Sequence, residues 1–131
     1  MHVLAPIDGS ECSYRALSFA TEFVTRYEAS LDVVHISTQE GPKTEKILRR
    51  AEEVLEENDV PANAEIVTNL ESADPRYGNR KGKDILRLVE KNGYDHVIMG
   101  HHGAGAVGRL VLGTAAGTVM QAAEVPTTII P

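Results

Sequence analysis

Cys12 is the only thiol in this chain, so no internal disulfide can form, and a reducing compartment is expected. Positive charge is scarce as well: thirteen Lys and Arg face nineteen Asp and Glu, a formal charge of −6. That balance argues against nucleic acid as a partner, because a phosphate backbone calls for a net basic face. Long apolar runs are missing, and nothing approaches the roughly 18 residues of a membrane span. The opening MHVLAPIDGS carries neither the basic region nor the cleavage pattern of an export leader. With 42% apolar and 24% charged residues, the composition is that of a folding chain, not a disordered one. At 131 residues there is room for one domain, 1–131, whose core requires neither disulfide nor structural metal. A cytoplasmic globular domain with no membrane partner is the expectation.

What is present is an apolar pattern whose period keeps switching. His2 to Ile7 (HVLAPI) is a short apolar run, the mark of a strand buried on both faces. After Asp8 and Gly9 the period becomes helical: Ala16, Ala20, Phe23, Val24 and Tyr27 share one stripe, with Ser10 as N-cap. Leu31 to Ile36 predicts a second strand, closed by a loop around Gly41 and Pro42. A helix carrying Ile47, Ala51, Val54 and Leu55 on one face follows, stopped by Asn58, Asp59 and Pro61. Ala64 to Leu70 predicts a more polar edge strand, and Glu71 to Lys83 a loop. Asp84 to Lys91 predicts a helix with Ile85, Leu88 and Val89 inward, ended by Asn92-Gly93. Asp95 to Met99 is a fourth strand and Gly100 to Leu112 a glycine-rich loop. Thr114 to Ala123 is a last helix with Ala116, Val119, Met120 and Ala123 in line, and Thr127 to Ile130 a final strand. The alternation β-α-β-α-β-α-β-α-β implies an α/β, doubly wound domain: a mainly parallel sheet with helices on both faces.

In such sheets ligands sit beyond the strand C-termini, where the strand order reverses. Two strand ends suit that use. Pro6-Ile7-Asp8-Gly9-Ser10 places a carboxylate at the tip of strand one. Gly100-His101-His102-Gly103 runs on to Gly113-Thr114 at the start of the last helix. Glycines there tolerate positive φ and let backbone N–H groups approach an anion. The helix N-terminus adds unpaired N–H groups, and Thr114 adds a hydroxyl. The pattern is that of a phosphate cradle; its bland alternative is a glycine-rich turn with no ligand.

On VLAPIDGSECSYRAL, VIMGHHG, the Gly100-to-Thr114 spacing and the closing VPTTII, the chain resembles the universal stress protein family along essentially its whole length. The resemblance implies a five-stranded parallel sheet in the order 3-2-1-4-5, of the adenine nucleotide alpha hydrolase-like kind, and the ATP-binding branch of the family. It assigns Pro6, Ile7 and Asp8 to the adenosine end of a site, Ile36 to the adenine through its backbone, and Met99 and Gly100 to the base and ribose. Gly103, Gly113, Thr114 and Ala115 would hold the phosphates. The cofactor implied is ATP, or AMP or ADP, with Mg²⁺ or Mn²⁺ held mainly through the phosphates. A homodimer through Val125 to Ile130 is also implied, and pairing there would cover a free strand edge. Three features depart from the family pattern: His101 where Ser is common, Gly117 early in the last helix, and a longer, more basic stretch from Glu71 to Lys83.

Rapid ATP hydrolysis is not indicated. The loop has no Lys of the Walker kind, Arg109 is its only cation, and Asp8 has no second carboxylate nearby to hold a metal pair. A phospho-receiver is excluded by the third strand, which ends Asn69-Leu70. His101 and His102, adjacent in a loop, make a weak chelate, and His35 and His96 are expected as hydrogen-bonded strand residues, so no metal site is assigned. His101 near a phosphate would make affinity pH-dependent. Cys12 reads as a packing residue, with redox chemistry as the alternative. Arg76, Arg80, Lys81 and Lys83 read as a solvated run distant from the pocket. The function expected is a nucleotide-binding homodimer in stress response or signalling. Two alternatives stay open: a slow ATPase or adenine-nucleotide hydrolase, and a dimeric interaction module that binds no nucleotide.

Overall fold

Strand β1, His2–Ile7, alternates its side chains between two buried faces. Val3, Ala5 and Ile7 enter one apolar cluster and Leu4 the other, which is why the sequence reads there as a continuous apolar run. The computed structural model describes residues 1–68, 80–102 and 112–131. The remaining elements are α1 (Glu11–Tyr27), β2 (Ser30–Ser37), α2 (Pro42–Glu57), β3 (Asn63–Thr68), α3 (Arg80–Asn92), β4 (His96–Gly100), α4 (Thr114–Ala122) and β5 (Thr127–Ile130). All five strands pair in parallel, in the order β3-β2-β1-β4-β5. The order implied by the family resemblance is the one observed.

The two layers of helices follow from the crossovers. One cluster joins Val3, Ile7 and Val33 to Leu17, Ala20 and Val24 of α1 and to Ile47, Ala51 and Leu55 of α2. On the other face Leu4, Val34, Val97 and Met99 meet Ile85 and Val89 of α3 and Ala116 and Val119 of α4. Leu4, Leu17 and Ile98 are wholly buried, each contributing about 1.5–3 kcal/mol of transfer free energy.

Helix starts are specified locally. Ser10 caps α1, its hydroxyl accepting from Ser13 N at 3.1 Å. Pro42, expected in a loop, is instead the first residue of α2, where its fixed φ and missing N–H carry no penalty. Thr44, one turn in, accepts from Gly41 N at 2.9 Å.

Several boundaries and faces differ from the sequence reading. Helix α3 begins at Arg80, within the stretch read as a loop to Lys83. Gly82, which suggested a loop, is buried inside this helix, and a Cβ there would stand 2.5 Å from Thr118 Cβ and 3.1 Å from Ala115 O. The glycine serves close packing of α3 on α4. Tyr27, expected inward, is 57% exposed and packs on Phe23 with ring centroids 4.7 Å apart. In α4 only Ala116 and Val119 are buried, while Met120 and Ala123 face outward. This short helix is covered along a narrow stripe at the sheet margin. The described part of β3 ends at Thr68, and Asn69, Leu70 and most of the basic stretch lie outside the described residues.

Candidate functional site

The sheet order reverses between β1 and β4, the neighbours from which the chain winds in opposite directions. Pairing of β1 with β2 ends at Ile7↔His35, so Ile36 lies one residue past the paired part of β1. On the other side β4 runs on to Gly100. A cleft of about 510 Å³, including its open mouth, lies between these strand ends and the first turns of α1, α3 and α4.

Eight of the ten residues singled out in the sequence line this cleft: Pro6, Ile7, Asp8, Ile36, Met99, Gly100, Gly113 and Ala115. Thr114 opens α4 and is exposed, without lining the cleft. Gly103 and Arg109 lie outside the described residues. Sequence reasoning missed Ser13, Lys81, Ile85, His102 and Ala116, which line the same space. The signal for Ser13 was available, since it follows the Ser10 cap by one turn. Lys81, read as distant from the pocket, reaches it because α3 starts early and packs tightly on α4.

Asp8 is held at the strand tip by its own turn. Its Oδ1 accepts from Ser10 N at 2.9 Å and from Ser10 Oγ at 2.5 Å. Gly9 between them has φ +87, a conformation that side-chain-bearing residues rarely adopt. Buried His35 fixes the end of β1 from the side, donating from Nδ1 to Ile7 O at 2.8 Å.

The glycines do different work from the cradle expected. Gly100 is the last residue of β4, not part of a loop. A Cβ there would lie 2.8 Å from Cys12 Sγ and 3.2 Å from both Cys12 C and Ser13 N. Its task is to let α1 approach β4. Gly113 has φ −60, so positive φ is not its reason, and its N–H donates to His101 O at 2.7 Å. The His101 amide is likewise engaged, with Ile130 O at 2.7 Å and Cys12 Sγ at 3.1 Å. Donors remain one residue further on. As the first three residues of α4, Thr114, Ala115 and Ala116 have N–H groups with no partner inside the helix. Gly113 offers no side chain to cap them. These amides, with the positive end of the helix dipole, form the anion-attracting end of the cleft.

Cys12 is buried, its thiol donating to Ile130 O at 3.0 Å, so it ties α1 to β4 and β5. His96 shares a hydrogen bond with Thr128 Oγ1 at 2.8 Å and packs on Phe23. At the opposite end of the sheet, Asp32 Oδ2 accepts from Tyr94 at 2.6 Å and from His2 Nε2 at 2.8 Å. Burial, and then this hydrogen bond, push the Tyr94 hydroxyl far above its ordinary pKa. That cluster pins the N-terminal ends of β1, β2 and β4 and lies away from the cleft. Among the described residues no three His, Cys, Asp or Glu side chains converge as a metal site. No described helix is long and apolar enough to cross a membrane.

Fold and cleft together define a doubly wound α/β protein with a crevice at the carboxyl ends of its strands, where the sheet order reverses. A profile of the universal stress protein family matches residues 1–131, and the chain belongs to that family. No curated protein sequence gives a significant match. Among solved structures, the universal stress protein from Archaeoglobus fulgidus is 18% identical, with 100% of this chain and 98% of that one covered and a TM-score of 0.77. A universal stress protein in complex with cAMP is 18% identical over 98% of this chain and 94% of that one, at a TM-score of 0.76. The Archaeoglobus fulgidus protein in complex with dAMP is 16% identical over 100% and 98%, at a TM-score of 0.75.

Proposed function

We propose that the cleft is an adenine-nucleotide site, and that the protein is an ATP-binding, cytoplasmic universal stress protein acting in stress response or signalling through nucleotide occupancy, without rapid turnover. The observation that carries this reading is the convergence of Pro6, Ile7, Asp8, Ile36, Met99, Gly100, Gly113 and Ala115 on one crevice. Ile36, Met99, Pro6 and Ile7 offer an apolar slot for the adenine ring. The Asp8 carboxylate, which lines the cleft, offers an acceptor for a ribose hydroxyl, and the Thr114–Ala116 amides suit phosphate oxygens. Gly103 joins the phosphate end by family resemblance alone. Mg²⁺ or Mn²⁺ would be held mainly through the phosphates. Relatives complexed with cAMP and dAMP support the adenine part of the assignment.

The same reading includes a homodimer through Val125 to Ile130. Strand β5 is the sheet edge next to β4, and Thr127 to Ile130 are half-buried. Its outer row of backbone groups is matched by a second copy of itself.

Calorimetric titration of the purified protein with ATP, followed by a single-turnover hydrolysis assay, tests the reading. Saturable binding with no appreciable turnover is expected. Steady turnover would favour a slow hydrolase, and no binding at millimolar ATP would leave an interaction module.

A further inference from the structure

The cleft holds a cation that neither the glycine spacing nor the family resemblance assigns. Lys81 is the one Lys or Arg among its described lining residues, in a protein of formal charge −6. We infer that Lys81 selects nucleotides carrying phosphates beyond the first, acting as the counter-charge for an ADP- or ATP-like tail. The inference rests on the nucleotide reading of the cleft and deepens it.

The location follows from the packing of α3. Gly82 lies so close to α4 that an added Cβ would meet Thr118 Cβ at 2.5 Å and Ala115 O at 3.1 Å. Ala115 itself lines the cleft and carries one of the first-turn amides of α4. The backbone of Lys81, next to Gly82, is therefore held beside the start of α4, and its side chain lines the same cleft as Ala115. The neighbouring carboxylate Asp84 is buried and pairs with Arg87 at 3.6 Å. Among the described residues Lys81 has no ion-pair partner.

An ammonium at this place changes what the site can distinguish. Amides of a helix start bind one phosphate group well, but a polyphosphate brings added charge that a few dipoles do not neutralise. A flexible, exposed lysine follows that charge along the tail as a mobile point charge. The adenosine end feels it little, because the attraction is screened within about 10 Å at ordinary salt.

The test is titration of wild type, Lys81→Gln and Lys81→Arg with ATP and with AMP, at two salt concentrations. Lys81 is exposed, so both variants are expected to keep the wild-type melting temperature. For Lys81→Gln, ATP affinity is expected to fall about tenfold and AMP affinity by less than about twofold. The salt dependence of ATP binding should weaken, and Lys81→Arg should retain most of the ATP affinity. Equal losses for ATP and AMP, or no loss for either, would overturn the inference while leaving the nucleotide site standing. Failure of wild type to bind either nucleotide would instead overturn the nucleotide reading itself.

Discussion

Gly100 and Cys12 touch so closely that no larger residue fits at the first position: a Cβ on Gly100 would stand 2.8 Å from the Cys12 sulfur. The contact welds the end of β4 to the start of α1, the two elements that flank the cleft. It is therefore a structural constraint on the site's width, set by a residue whose type alone suggests a ligand contact.

Gly100→Ala is expected to destabilise the protein by about 1–3 kcal/mol, because the strand or helix must shift to admit the methyl group. In a Cys12→Ala background the penalty should shrink but not vanish, since Cys12 C and Ser13 N remain at 3.2 Å. A double-mutant cycle by urea denaturation measures this, with a coupling of at least about 0.5 kcal/mol expected. Strict additivity would show that the sulfur contact is not the constraint.

His96 gives a pH dependence of known sign. Burial holds its pKa below the ordinary value of 6.5, so the unfolded chain takes up the proton first. Its contribution to stability is complete above pH 6.5 and is lost as pH falls from there through the lowered folded-state value. Denaturation midpoints between pH 7.5 and 5 are expected to fall less steeply in His96→Gln than in wild type, about a unit to either side of this window being sufficient. Identical slopes would contradict the assignment.

Gly113→Val places a branched side chain at the lining of the cleft, beside the proposed phosphate end. Gly113 has φ −60 and ψ 155, which valine adopts without strain, so the fold should survive and binding should not. ATP affinity is expected to drop at least about tenfold, with an unchanged far-ultraviolet dichroism spectrum. Undiminished affinity in a folded variant would move the phosphates elsewhere.

The architecture was largely legible because local signals agreed with one another. Apolar runs at β1 and β4, the Ser10 cap and the Gly93 stop each specify an element without help from distant residues. The candidate site was legible as a set of positions but not as a set of roles. Gly100 and Gly82 look alike in sequence to glycines of a flexible loop. Each is there because a neighbouring helix comes too close for a side chain, a fact that exists only after the chain has folded. The Gly113 amide was expected to face a ligand and instead bonds His101 O, since a carbonyl twelve residues away is invisible to spacing arguments. Lys81 was misplaced for the same reason: its approach to the cleft depends on α3 meeting α4, not on the polar run around it. Tyr27 and Met120 fall on the correct helical stripes, but the sheet does not extend far enough to cover them.

The central claim is that the first-turn amides of α4, which have no partner within the helix, receive the nucleotide's phosphates, and amide-resolved nuclear magnetic resonance with ATP titration addresses it directly. The account predicts saturable, downfield shifts of the Thr114, Ala115 and Ala116 N–H signals, tracking the calorimetric affinity. Shifts confined to other parts of the protein, with these three signals unmoved at saturation, would contradict it.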